Sequence, residues 1–278
     1  MSTRPRIAFL GGGNMARSLI GGMLQHGFKA AQISVADPAA AQREALVDKF
    51  AIHASADNGA AVRDADAVIF AVKPQIFRTA ARSVATALAD SKPLVISIAA
   101  GIAEPDIHRW LGYDAAIVRA MPNTPALVGS GASALFANPF VTTAQRALAA
   151  TLLEAVGIAL WLDDEHYMDA VTAVSGSGPA YFFLLMEVME NAARQLHLPP
   201  EVARKLVLQT ALGAARMASA SEVDAATLRQ QVTSPGGTTA AALKVLQDAD
   251  IGDLFQRALT AARDRGAELS HEFGKETS

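Results

Sequence analysis

The chain has 278 residues, 51% hydrophobic and 18% charged, which is enough for one large or two medium domains with cores of their own. Its formal net charge of −3 gives no basic surface suited to nucleic acid, and the absence of cysteine excludes disulfides, thiolate catalysis and cysteine-based metal sites. The six histidines are scattered without a metal-site spacing, so no metal is expected.

Met1 to Pro5 runs straight into an apolar segment and does not have the build of a signal peptide. The least charged run, Ala170 to Met186, is interrupted by Gly176, Gly178 and Pro179 and is too short to span a bilayer. A soluble, cytoplasmic protein that binds neither membrane nor nucleic acid is the expectation.

Arg6 to Leu10 has the length and composition of a buried strand. It leads into Gly11-Gly12-Gly13-Asn14-Met15-Ala16, then a helical pattern through Leu19, Ile20, Met23 and Leu24 that Gly27 closes. Ile33 to Ala36 is a second strand and ends in Asp37-Pro38. Gly11, Gly13 and Ala16 fit the G-x-G-x-x-A fingerprint of a dinucleotide site. In that reading Gly11 makes the tight turn, Gly13 lets the diphosphate approach, and Ala16 permits close packing of helix on strand. Strand, glycine turn, helix, strand and acid in that order carry far more weight than a glycine triplet alone.

A second helix follows Pro38, with Ala41, Ala45, Leu46 and Phe50 on one side. Ala67 to Val72 and Leu94 to Ala99 are continuous apolar runs, as buried parallel strands require. They end in Lys73-Pro74-Gln75 and Ala100-Gly101. Ile117 to Ala120 follows, ending in Met121-Pro122-Asn123-Thr124-Pro125. Ala132 to Phe136 and Gly157 to Leu162 are the last strands, around a helix near Ala144 to Ala155. Alternating strands and helices predict an α/β, Rossmann-like, doubly wound and mainly parallel sheet. Ligands of such sheets sit at the carboxyl ends of the strands, where every unusual turn of this sequence collects.

After Leu162 no strand-like run remains. Helical patterns cover Tyr167–Val174, Ala180–Leu196, Pro199–Ala218, Val223–Gln231, Thr238–Gln247 and Phe255–Phe273. This divides the chain into a nucleotide-binding domain over 1–163 and an all-helical domain over 164–278. The second is rich in Ala, Leu and Met, which suits burial of one face against a second subunit; the alternative is a monomeric bundle.

Within it, Val232-Thr233-Ser234-Pro235-Gly236-Gly237-Thr238-Thr239 sets small hydroxyl residues and two glycines before an apolar-periodic helix. A helix N-terminus offers free N–H groups and partial positive charge, glycine lets a ligand approach the backbone, and the hydroxyls add donors. The stretch can hold a small carboxylate without Arg or Lys; the alternative is an ordinary loop ending in a Thr cap. No G-x-S-x-G elbow or P-loop lysine is present, and Pro179 makes Ser175-Gly-Ser-Gly-Pro a helix start rather than a nucleophile turn. A nicotinamide site with little acid–base equipment suits hydride transfer to a carbon that is already electrophilic. A protonated cyclic imine needs no proton donor, because its nitrogen becomes neutral as hydride arrives.

These residues resemble the pyrroline-5-carboxylate reductase family, whose members catalyse the last step of proline biosynthesis. The resemblance runs over nearly the whole chain. It rests on Phe9 to Ala16, Ala71 to Gln75, Ser97 to Gly101, Arg119 to Ala126, Ser175 to Tyr181 and Val232 to Thr239, in that order. It implies NAD(P)H as hydride donor, 1-pyrroline-5-carboxylate as substrate and L-proline as product. It also implies a homodimer with interlocked helical domains, in the family often assembled into a decamer of five dimers, with each site shared between two subunits.

The fingerprint and the acid after the second strand place Gly11, Gly13, Asn14, Met15 and Asp37 at the diphosphate and the adenosine ribose, and the resemblance adds Asn58 as a contact to the adenosine. Carried over position by position, Ala71, Val72, Lys73 and Pro74, then Ala99, Ala100 and Gly101, then Met121, Pro122 and Asn123 line the nicotinamide half. Val232, Ser234, Gly236, Gly237, Thr238 and Thr239 hold the substrate carboxylate, with the Thr239 hydroxyl also near the ring nitrogen as the catalytic position. The sequence departs from the family in two places. Asp224-Ala225-Ala226 stands where many members carry His-Pro-Gly, and Asp37 stands where members favouring NADPH have a polar or Arg-bearing turn. With Arg43 in the next helix as the nearest cation, Asp37 argues for NADH while the resemblance leans towards NADPH. Two rival readings remain: another imine or hydroxy-acid reductase of the same architecture, and a non-enzymatic NAD(P)-binding regulatory scaffold.

Overall fold

The structure is a computed structural model and describes residues 5–275. The order of elements is β1 (Ile7–Leu10), α1 (Asn14–Gln25), β2 (Ile33–Ala36), α2 (Ala40–Phe50), β3 (His53–Ser55), α3 (Asn58–Val62), β4 (Ala67–Phe70), α4 (Pro74–Ser91), β5 (Leu94–Ser97), α5 (Glu104–Leu111), β6 (Ile117–Met121), β7 (Gly131–Ala137), α6 (Thr143–Glu154) and β8 (Gly157–Trp161). The helices that follow are α7 (Met168–Val171), α8 (Gly178–Gln195), α9 (Pro200–Ala220), α10 (Ala225–Gln231), α11 (Thr238–Asp248) and α12 (Ile251–Gly274).

The eight strands form one sheet in the order β3-β2-β1-β4-β5-β6-β7-β8. Every pairing is parallel except β6 with β7. The first six positions are the dinucleotide-binding order, with the chain reversing direction across the sheet between β1 and β4. Side chains alternate across a strand, and the core divides accordingly. Ile7, Phe9, Ile33, Val35, Ile69 and Ile96 face one layer, with Leu19 and Met23 of α1, Leu46 of α2 and Leu152 of α6. Ala8, Leu10, Val68, Phe70 and Val95 face the other, with Val62 of α3, Phe77 and Leu88 of α4 and Trp110 of α5. Phe70 and Phe77 stack with ring centroids 4.8 Å apart, a contact that adds about 0.5–1.5 kcal/mol to their burial. β1 and β4 are buried on both faces, which is why they read as unbroken apolar runs.

Four elements differ from the sequence expectation. β3 and α3 are only three and five residues long and carry no apolar run. α5 follows β5 and was not expected, although Pro105 near its start and Gly112 in the left-handed region at its end are the usual signals. β7 pairs antiparallel because a short 3-10 turn, Thr124–Val128, replaces a crossover helix after β6.

By compactness the chain forms two units: residues up to Ser177 together with those from Ala262 onward, and Gly178–Ala261. In the second unit α8 packs on α9. Few of its apolar residues are buried, and Phe182 and Phe183 of α8 are 64% and 63% exposed. One stretch, Glu165–Gln195, is long and apolar enough to cross a membrane by length and composition alone. A π-helical turn at Thr172–Gly176 breaks it before α8.

Candidate active site

Because β1 to β6 are parallel, the turns after them lie along one edge of the sheet, and the expected cofactor residues of the first unit all fall there. Gly11 has φ +98° and donates its N–H to the Ala36 carbonyl at 2.7 Å. A Cβ on Gly11 would lie 2.6 Å from the Ala71 carbonyl oxygen, so the turns after β1 and β4 touch backbone to backbone. Gly13 caps α1 in extended conformation, with no side-chain cap and nothing within 4 Å of where a Cβ would stand. The first N–H groups of α1 therefore face open space, as a diphosphate requires. Asn14 is exposed, Met15 half-buried, and Ala16 fully buried against the sheet.

Asp37 ends β2 with both carboxylate oxygens engaged. Oδ2 accepts the Gly12 N–H at 2.8 Å and Oδ1 the Ala39 N–H at 2.9 Å. Each oxygen keeps a lone pair for a ribose hydroxyl. Arg43 donates through one guanidinium nitrogen to the carbonyls of Asp37 and Pro38, at 2.8 and 2.9 Å. The cation thus reaches the turn that carries the acid. Asn58 opens α3, which Asp57 caps, and its amide donates to Ser83 Oγ of α4 at 2.9 Å.

Lys73 caps α4, with Pro74 at its first position. Ala71 donates to the Leu10 carbonyl at 2.8 Å, and Ile98 to the Phe70 carbonyl at 3.2 Å, which ties the β4 and β5 turns to their neighbours. Ala99 is buried, and Gly101 turns at φ +70°. The Phe273 ring packs on Gly101, 3.4 Å from a notional Cβ. Nothing in the sequence announced this contact, because the two residues are joined only by the fold. At β6, Arg119 is buried and pairs with Glu165 Oε1 at 2.6 Å, and that oxygen also accepts the Glu104 N–H at 2.6 Å. Burial raises the carboxyl of neighbouring Asp169 above its ordinary range, while Arg119 opposes the shift and Glu165 adds to it. These ties hold β6, which ends at Met121 and is followed by Pro122 and Asn123.

The residues expected to hold the substrate carboxylate lie in the second unit. Asp224 caps α10 by accepting the Thr227 N–H at 2.8 Å, which also lowers its carboxyl pKa. This cap starts the helix without proline. After α10, Thr233 Oγ1 donates to the Arg229 carbonyl at 2.6 Å. Gly236 sits at φ +71°, and Gly237 donates to the Ser234 carbonyl at 3.0 Å before capping α11. No side chain caps α11, so the N–H groups of its first turn, from Thr238 onward, have no helical acceptor. Val232, Ser234, Gly236 and Thr238 are exposed, while Gly237 and Thr239 are half-buried. The loop exposes N–H and hydroxyl donors and has no charged side chain in it. Among the described residues, no group of three or more His, Asp or Glu could hold a metal ion.

A glycine turn opening an uncapped helix, with an acid at the end of β2 on this strand order, defines a dinucleotide-binding protein. Residues 6–101 match the model of the coenzyme F420-dependent NADP oxidoreductases, and residues 165–269 match that of the pyrroline-5-carboxylate reductase dimerisation domain. A pyrroline-5-carboxylate reductase of Pseudomonas aeruginosa is 54% identical over 275 residues, which is 99% of this chain and 100% of that protein. One from Coxiella burnetii superposes with a TM-score of 0.92 at 44% identity, over 96% of this chain and 99% of the other. The Plasmodium falciparum pyrroline carboxylate reductase, solved with NADP bound, gives a TM-score of 0.85 at 28% identity, over 96% and 98%. The chain belongs to the pyrroline-5-carboxylate reductase family.

Proposed function

We propose that this protein reduces the C=N bond of 1-pyrroline-5-carboxylate to L-proline, the last step of proline biosynthesis, with NAD(P)H as hydride donor. The observation that carries the reading is the full-length family match, joined to a chain whose two candidate half-sites are complementary in chemistry. One presents free helix N–H groups and a ribose-reading acid; the other presents N–H and hydroxyl donors for a carboxylate. NAD(P)H, when bound, supplies the hydride. The chain's residues then bind and orient: Gly13, Asn14 and Met15 take the diphosphate at the start of α1, and Asp37 and Asn58 the adenosine side. The turns at Ala71–Pro74, Ala99–Gly101 and Met121–Asn123 line the nicotinamide. Ser234, Thr238, Thr239 and the backbone of Gly236 and Gly237 hold the substrate carboxylate, and Val232 leads into that loop. The protonated imine brings its own proton, so the Thr239 hydroxyl has only to orient the ring nitrogen. Formation of L-proline from added pyrroline-5-carboxylate, detected by chromatography, is the direct test. A protein that binds NAD(P)H but forms no proline would instead fit a regulatory scaffold.

The same reading gives residues 1–163 the nucleotide role and 164–278 the roles of dimerisation and substrate binding, in a cytoplasmic protein. The exposed apolar side chains of α8, including Phe182 and Phe183, support burial against a second copy rather than in a membrane. A homodimer with shared sites follows, open to assembly as a decamer. If the sites are shared, mixing Gly13→Asp chains with Thr239→Ala chains should restore part of the activity that each lacks, because the mixed dimer holds one site free of both lesions. Absence of recovery after verified subunit exchange would mean that each chain supplies a whole site.

Cofactor choice rests on Asp37 and Arg43. A 2′-phosphate at the ribose meets the Asp37 carboxylate, but the Arg43 guanidinium bound to the same turn offsets part of that repulsion. The protein is expected to accept both cofactors. Asp37→Ser should shift the ratio of kcat/KM values towards NADPH. It should also weaken NADH use, because the Gly12 N–H loses its carboxylate partner. A strong NADPH preference that Asp37→Ser leaves unchanged would show that this acid does not read the ribose.

A further inference from the structure

Two stretches separated by about fifty residues, Met121-Pro122-Asn123 and Ser175-Gly176-Ser177, meet in the first unit through one side chain. In an α-helix the Ser175 carbonyl would accept the N–H of the residue four positions on. That residue is Pro179, which has none. The Asn123 amide nitrogen donates to this carbonyl instead, at 3.1 Å. The other end of the same amide is also used: Asn123 Oδ1 accepts the Ala132 N–H of β7 at 2.9 Å. A backbone donor on the oxygen fixes which end of the amide faces Ser175. The helix itself is widened here. Thr172 to Gly176 form a π-helical turn in which Ser177 donates to the Thr172 carbonyl at 2.8 Å. The Met121 methyl fills the space over Gly176, 2.5 Å from where a Cβ would stand. Single π-turns inside helices recur at functional sites.

We propose that Asn123 is a positioning residue that locks the nicotinamide-side turn after β6 to the π-turn ahead of α8, by giving the Ser175 carbonyl the donor that Pro179 lacks. With its nitrogen held by Ser175 and its oxygen by Ala132, the side chain acts on the cofactor by fixing the turn. Asn123, Met121, Gly176 and Pro179 form one device: the proline creates the unpaired carbonyl, the amide satisfies it, and glycine admits the methionine. The inference rests on the reductase reading above for its effect on turnover, but not for the contact itself.

The test is a double-mutant cycle on the full-length protein. Asn123→Ala should lower kcat about ten- to a hundredfold, as loss of alignment at the reacting centre does. The Kd for NADPH, measured by its own fluorescence, should change by no more than about twofold, because adenosine and diphosphate contacts are intact. Pro179→Ala restores an N–H at position 179, so adding Asn123→Ala in that background should cost no more than about threefold. Asn123→Asp keeps the acceptor for Ala132 but removes the donor, and it stands in if the alanine variant fails to fold. Hydrogen exchange over 172–178 gives a readout independent of activity: the Ser177 amide should exchange faster in Asn123→Asp than in wild type. An Asn123→Ala cost that is equal in both backgrounds, or unchanged exchange at Ser177, would overturn the proposal. A wild type inactive on pyrroline-5-carboxylate would overturn the reductase reading and leave the exchange result to decide the clamp.

Discussion

Gly11→Ala is expected to lose both stability and cofactor binding, whereas Gly13→Ala loses cofactor binding alone. At φ +98° any side chain on Gly11 is strained, at about 1–3 kcal/mol. Its Cβ would also stand 2.6 Å from the Ala71 carbonyl oxygen, a backbone atom that cannot rotate aside. The turns after β1 and β4 must then separate, and the bond from the Gly11 N–H to Ala36 is disturbed with them. The melting temperature should fall and NAD(P)H binding should weaken by more than about a hundredfold, or 2.8 kcal/mol at 1.4 kcal/mol per tenfold. Gly13 is the control, since its Cβ would meet nothing of the chain within 4 Å. Gly13→Ala should keep the wild-type melting temperature, yet crowd a bound diphosphate by about 1–3 kcal/mol, ten- to a hundredfold in Kd. Thermal unfolding and fluorescence titration of both variants separate the two effects. A Gly11→Ala protein with wild-type stability and affinity would contradict the turn geometry.

Thr239→Ala should cost about tenfold to a hundredfold in kcat/KM for pyrroline-5-carboxylate, since a hydrogen bond to a charged group contributes about 1.5–3 kcal/mol. Ser234→Ala should cost less where the free N–H groups of α11 still hold the carboxylate. Neither change should move NAD(P)H affinity, because the loop belongs to the second unit and the expected nucleotide residues to the first. Steady-state kinetics with each substrate varied separates the two. If both variants keep wild-type kcat/KM, the loop before α11 is not the carboxylate site.

Much of this arrangement was legible in the sequence wherever one local force decides it. β1, β4 and β5 are buried on both faces, so each had to be a continuous apolar run. Gly11 at positive φ and Asp37 at the end of β2 follow from strand–turn–helix spacing. β3 and α3 escaped because three and five residues are too few to show a period, and tertiary pairing with β2 alone makes a strand of His53 to Ser55. The antiparallel turn of β7 depends on a 3-10 turn rather than on β7's own composition. Contacts such as Phe273 on Gly101 and Asn123 on Ser175 have no sequence signal, because they join segments that only the finished fold brings together. The missing N–H of Pro179 is the exception: a proline four residues after Ser175 announces a carbonyl that needs another donor.

The decisive measurement is NAD(P)H oxidation by the wild-type protein with 1-pyrroline-5-carboxylate and with 1-pyrroline, the same cyclic imine without its carboxylate. Two or more charge-assisted hydrogen bonds in the loop before α11 should favour the carboxylate-bearing ring by at least about a hundredfold in kcat/KM. Equal rates on the two rings, or no oxidation with either, would contradict the claim that this chain reduces a cyclic imine that it recognises by its carboxylate.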